Sequence, residues 1–84
     1  INTLFTPLAD EILAHRGTID KFMGDAVMAF WNAPLTDPDH ARQACRTALA
    51  MQAAIVAMNA RRGENTEPIR IGIGLNTGSC VVGN

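Results

Sequence analysis

The chain has 84 residues, 48% of them hydrophobic, which indicates one small globular domain and excludes a disordered segment. Its formal net charge is −1, and the seven basic and eight acidic residues are interspersed, so no nucleic-acid-binding surface is predicted. No apolar run approaches the roughly 20 residues of a membrane-spanning helix. Cys45 and Cys80 lack the spacing of metal ligands, so a reducing compartment is expected.

The first predicted element is a helix over residues 1–15. Its apolar residues recur at helical spacing and form one face: Leu4, Phe5, Leu8, Ile12 and Leu13. Arg16 and Gly17 are expected to end it, with Gly17 in the left-handed conformation that often follows a helix. We interpret His15 as a cation near the helix C-terminus, in preference to an acid/base residue.

A β-hairpin is predicted next, with strands over residues 18–23 and 26–31. Gly24-Asp25 forms the loop, and glycine at its first position suits a type II′ turn. The register then has three pairs to note: Met23 with Ala26, Lys21 with Met28 and Ile19 with Phe30. Both faces of this hairpin are largely apolar, so we expect both to be covered.

Two polar residues of the hairpin are functional candidates. Lys21 is a cation on a mostly apolar face and should point at a partner or into a cleft. Asp25 lies at the tip, where a rigid hairpin could present it as a metal ligand. The alternatives are a surface lysine and an exposed turn carboxylate, since aspartate is common in tight turns.

A long helix is predicted after the loop over residues 32–36. Asp37 is expected to be its N-cap, with Pro38 at the first helical position, and Gly63 is expected to follow its last residue. Capping explains Asp37 and Asp39 better than a metal cluster with His40 does. The pattern places Ala44, Leu49, Ile55 and Val56 on the apolar face, Met51 and Met58 in the core, and Arg42, Gln43, Arg46 and Thr47 in solvent.

A strand is predicted over residues 69–78, where isoleucine and leucine alternate with small or polar residues. Gly72-Ile73-Gly74 does not form a dinucleotide-binding motif, because no helix follows directly. The order helix, β-hairpin, helix, strand predicts an α+β sandwich of the ferredoxin-like type, in which helices cover one face of a mostly antiparallel sheet.

Three stretches resemble the catalytic domain of class III nucleotidyl (adenylate/guanylate) cyclases, of a bacterial adenylate cyclase type. They are Gly17–Pro34, which contains Lys-x-x-Gly-Asp and Ala-Phe-Trp-x-Ala-Pro, the helix start Asp37–Ala41, and Arg70–Gly78, with Val81–Asn84 following. The resemblance covers essentially the whole chain. It implies the cyclase palm sandwich fold and conversion of ATP to 3′,5′-cyclic AMP and pyrophosphate for signal transduction.

The resemblance also implies roles for single residues. Asp25 matches the second of two aspartates that hold two divalent ions, Mg²⁺ or Mn²⁺. Lys21 matches the lysine that selects adenine, where guanylate cyclases typically have glutamate. The family works as a homodimer with the active site at the interface, so Lys21 of one subunit and Asp25 of the other would serve the same ATP.

Other parts of the family's site have no counterpart in this sequence. The first metal aspartate of a Phe-x-Asp-Ile stretch, and the Asn and Arg that stabilise the transition state, are absent from residues 1–84. Since the chain also starts at Ile1 and ends after a strand-like run, we expect it to be the central part of one domain, truncated at both ends and inactive alone.

The alternatives are a catalytically inactive cyclase-homology module that serves regulation or dimerisation, and a guanylate cyclase, which Lys21 disfavours. The expected location is the cytoplasm, with membrane attachment only through other parts of the parent.

Overall fold

The computed structural model describes residues 5–81 and shows an α+β fold. Its elements, in chain order, are helix α1 (Phe5–Ala14), strand β1 (Thr18–Met23), strand β2 (Ala26–Phe30) and helix α2 (His40–Arg62). The predicted order of helix, hairpin and helix is confirmed. No helix in this part of the chain is long and apolar enough to cross a membrane.

The core lies between the two helices and one face of the hairpin. Five side chains form its buried centre: Phe5, Leu8, Ile12, Met51 and Ile55. Ile19, Val27 and Ala29 of the hairpin pack against this centre. Because α1 and α2 also contact each other, they form one layer on one side of the two-stranded sheet.

Helix α1 ends in a Schellman motif. The N–H of Gly17 bonds to the carbonyl of Ile12 at 2.8 Å, and that of Arg16 to Leu13 at 3.3 Å. The left-handed residue is Arg16, with φ 68°, so the expectation for Gly17 was wrong. Leu13 is also 60% exposed instead of buried. The predicted first turn before Phe5 lies outside the described residues.

The hairpin register contains a β-bulge that the sequence pattern did not predict. Met23 pairs with Ala26 and Lys21 with Met28 as expected, but Ile19 pairs with Ala29 and not with Phe30. The extra residue is Asp20, which is exposed. A regular register would have turned the Asp20 carboxylate toward the core, at a high desolvation cost, and the bulge turns Ile19 there instead.

Helix α2 begins later than predicted. Its first residue is His40 and its N-cap residue is Asp39, which makes no side-chain capping bond. Asp37 instead closes the preceding turn, where its Oδ1 accepts the N–H of Asp39 at 2.9 Å. The predicted end is confirmed, because the helix stops at Arg62 and Gly63 follows with φ 89°.

The faces of α2 differ from the prediction at several positions. Thr47, expected in solvent, is 1% exposed, and its hydroxyl donates to the Gln43 carbonyl at 2.7 Å, which satisfies it inside the core. Leu49 and Val56, expected in the core, are exposed. Met51 and Ile55 are buried as predicted.

The prediction of a strand over residues 69–78 was wrong, because no strand is formed there in the described structure. In the segment over residues 69–75, the predicted alternation holds from Ile69 to Ile73 and fails at Leu75, which is 50% exposed. Ile69, Ile71 and Ile73 pack against the core, while the residues between them are exposed. Amide side chains of α2 act as its hydrogen-bond partners. Asn59 both donates to the Ile69 carbonyl and accepts from the Ile69 N–H, each at 2.8 Å, and Gln52 donates to the Ile71 carbonyl at 3.2 Å.

Candidate functional site

Asp25 lies at the tip of the hairpin, as predicted. Gly24 before it has φ 59°, which a type II′ turn requires at its first central position. A Cβ at Gly24 would meet nothing within 4 Å, so the backbone angle alone favours glycine there. The carboxylate of Asp25 is therefore presented to solvent by a turn of defined geometry.

Lys21 lies on the face of the hairpin that points away from the helices. It pairs with Met28, whereas the next pair, Phe22 with Val27, faces the core. Met23 and Met28 share the outer face with Lys21 and are both more than two-fifths exposed. The outer face is thus uncovered by residues 5–81, in contrast to the expectation that both faces are covered.

Lys21 and Asp25 are close in sequence but stay separate in the structure. Lys21 lies two residues before the end of β1, or roughly 7 Å of strand. Neither side chain forms an ion pair with another residue of the described range. The one ion pair among residues 5–81 joins Arg42 to Asp39. Both groups are therefore available to a ligand.

Contacts at the open end of the hairpin fix the position of the strands that carry Lys21 and Asp25. Trp31, which follows β2, donates its Nε1 hydrogen to the carbonyl of His15 at 2.9 Å. Thr18 at the start of β1 donates its hydroxyl hydrogen to the Ala33 carbonyl at 3.0 Å. On the core side, the rings of Phe5 and Phe22 lie 5.6 Å apart in a tilted arrangement. The hairpin is thus fixed to α1 while its tip projects freely.

The donor set fits a divalent metal only in part. Among residues 5–81, no three His, Cys, Asp or Glu side chains group together as metal ligands. Mg²⁺, however, keeps several waters and is commonly bound through one or two carboxylates together with substrate phosphates. The exposed, unpaired carboxylate of Asp25 fits the role of one such ligand.

The remaining polar candidates have structural roles. His15 directly follows the last residue of α1, as its predicted helix-terminal position requires, and its Nδ1 lies 2.8 Å from the Glu11 carbonyl oxygen. Asp37 is buried, and its N–H donates to Asn32 Oδ1 at 2.6 Å. Its Oδ2 has no hydrogen-bond partner within the described structure.

The sequence analysis did not identify several residues that hold the loop before α2 and the segment over residues 69–75 in place. Asn32 has φ 74°, and asparagine is among the few residues that adopt this conformation readily, which was the available signal. Asn59 and Gln52 gave no signal, because their partners lie 10 and 19 residues further along the chain.

Comparison with known proteins settles the family. A family model described as the adenylate and guanylate cyclase catalytic domain matches residues 1–84. The chain belongs to this cyclase family. Domains of the family generally depend on divalent metals, bind ATP and dimerise.

Three relatives of the cyclase chain illustrate its similarity. It is 41% identical over 85 residues to Adenylate cyclase 1 of Rhizobium meliloti (strain 1021), an alignment that covers 100% of the chain and 13% of that protein. It is 35% identical over 86 residues to Uncharacterized protein Rv1320c and 34% over 87 residues to Uncharacterized protein Rv1319c, both of Mycobacterium tuberculosis (strain ATCC 25618 / H37Rv).

The chain spans 13–14% of the length of these curated relatives, and each alignment covers the whole chain. No solved structure matches the cyclase chain significantly.

Proposed function

We propose that the chain is part of an adenylate cyclase catalytic domain that converts ATP to 3′,5′-cyclic AMP and pyrophosphate. The observation that supports this most is the placement of Lys21 and Asp25, both exposed and unpaired, on one hairpin of a cyclase-family chain. The similarity to a protein named adenylate cyclase favours the same substrate.

Asp25 is assigned the role of metal ligand. Two divalent ions, Mg²⁺ or Mn²⁺, would supply Lewis-acid stabilisation of the attacking ribose oxygen and of the pyrophosphate leaving group. A carboxylate oxygen is the hard ligand that such ions prefer, and the turn at Gly24-Asp25 holds it outside the core. Its partner ligands would come from the substrate, water and residues other than 5–81.

Lys21 is assigned the role of base recognition. Its ammonium group can donate a hydrogen bond to N1 of adenine, which is an acceptor. Guanine carries a hydrogen at N1, so the lysine would meet a donor and stay unpaired. Leaving a polar group of the site without its partner is what makes such a site reject the wrong base.

The two residues would serve one nucleotide from different copies of the domain in a homodimer. Lys21 points out from the face of the hairpin, while Asp25 lies at its end. Pairing through this face would also cover Met23 and Met28, which residues 5–81 leave exposed. The domain would act in cytoplasmic signal transduction, with any membrane attachment supplied by other parts of the parent.

A cyclase assay on the full-length protein tests the proposal. With Mn²⁺ and either ATP or GTP, we expect cyclic AMP as the main product. Asp25→Asn should reduce turnover at least about a hundredfold, because removal of one electrostatic contact to a transition state has effects of this size. Asp20→Asn removes the same charge from an exposed position in the β-bulge and should leave turnover unchanged.

Other results would identify the alternatives. Cyclic GMP as the main product would make the protein a guanylate cyclase, and no product from either nucleotide would favour a regulatory cyclase-homology module. Residues 1–84 alone should show no turnover, because they supply only one of the two expected metal aspartates. Metal-dependent cyclic AMP formation by this isolated chain would contradict the assignment of the missing groups.

A further inference from the structure

We draw no further inference here: the strongest candidate, the groove between β2 and the segment over residues 69–75, is lined by Val27, Ala29 and Ile73 above α2, and nothing in the structure of residues 5–81 shows what fills it.

Discussion

Trp31 donates its indole hydrogen to the backbone oxygen of His15 over 2.9 Å, across 16 residues of sequence. This bond joins the end of β2 to the end of α1 at the base of the hairpin that carries Lys21 and Asp25. The same corner contains Gly17, where a Cβ would lie 2.8 Å from the Trp31 ring. The position of the candidate site thus depends on a corner distant from it.

Trp31→Phe should weaken the contact between the end of β2 and the end of α1 without leaving a large cavity there. The aromatic ring still fills much of the space, but the carbonyl of His15 loses its indole donor, at a cost of about 1 kcal/mol. Peptide-resolved hydrogen exchange of the full-length protein should show faster exchange in β2 and the last turn of α1. Unchanged exchange there would contradict a role of this bond in holding the hairpin.

Gly17→Ala should destabilise the same corner more strongly. The added Cβ would lie 2.6 Å from Ile12 Cγ2 and 2.9 Å from the Ile12 carbonyl oxygen, so the chain must shift, at a cost of about 1–3 kcal/mol. Gly72→Ala is the matched control, because a Cβ there meets nothing within 4 Å. The midpoint of urea unfolding should fall for Gly17→Ala alone, and equal midpoints would argue against crowding.

Asn59→Ala should release the segment over residues 69–75 from α2. It removes both hydrogen bonds to the backbone of Ile69, together worth about 2 kcal/mol. Asn59→Asp should be almost as damaging, because a carboxylate accepts the Ile69 N–H but repels the Ile69 carbonyl oxygen. Hydrogen exchange at Ile69 and Ile71 measures the effect. Asn65→Ala, in the exposed loop after α2, should leave that exchange as in the wild type.

Lys21→Glu should change the nucleotide preference of the full-length protein. A carboxylate accepts a hydrogen bond from guanine N1 but faces the acceptor of adenine N1, so the ratio of kcat/KM for ATP over GTP should fall by about a hundredfold or more. Arg70→Glu reverses a charge outside the hairpin and should preserve the ratio. If Lys21→Glu left ATP turnover intact, the base-recognition role would be wrong.

Short-range patterns predicted the order of the two helices, the end of α2 and the hairpin turn correctly, but not the start of α2. Gly24-Asp25 specifies its own backbone geometry, and Gly63 ends α2, because such preferences act within a few residues. The motif around Lys21 and Asp25 was likewise readable from the sequence, and with it the family. The exposure of Asp25 followed from its place at the tip, whereas the exposure of Lys21 depends on which face of the hairpin meets the helices.

Tertiary structure decided which side chains are buried, where the β-bulge lies and which distant residues form hydrogen bonds. Apolar spacing could not tell that Leu49 and Val56 face solvent while Thr47 is buried, since this depends on which side of α2 meets α1 and the hairpin. The bulge at Asp20 arises because Ile19, not a carboxylate, must contact the core. The pairing of Asn59 with Ile69 required the chain to fold back. Each of these outcomes is set by the free energy of burial and hydrogen bonding between distant residues, which the order of amino acids along one element does not contain.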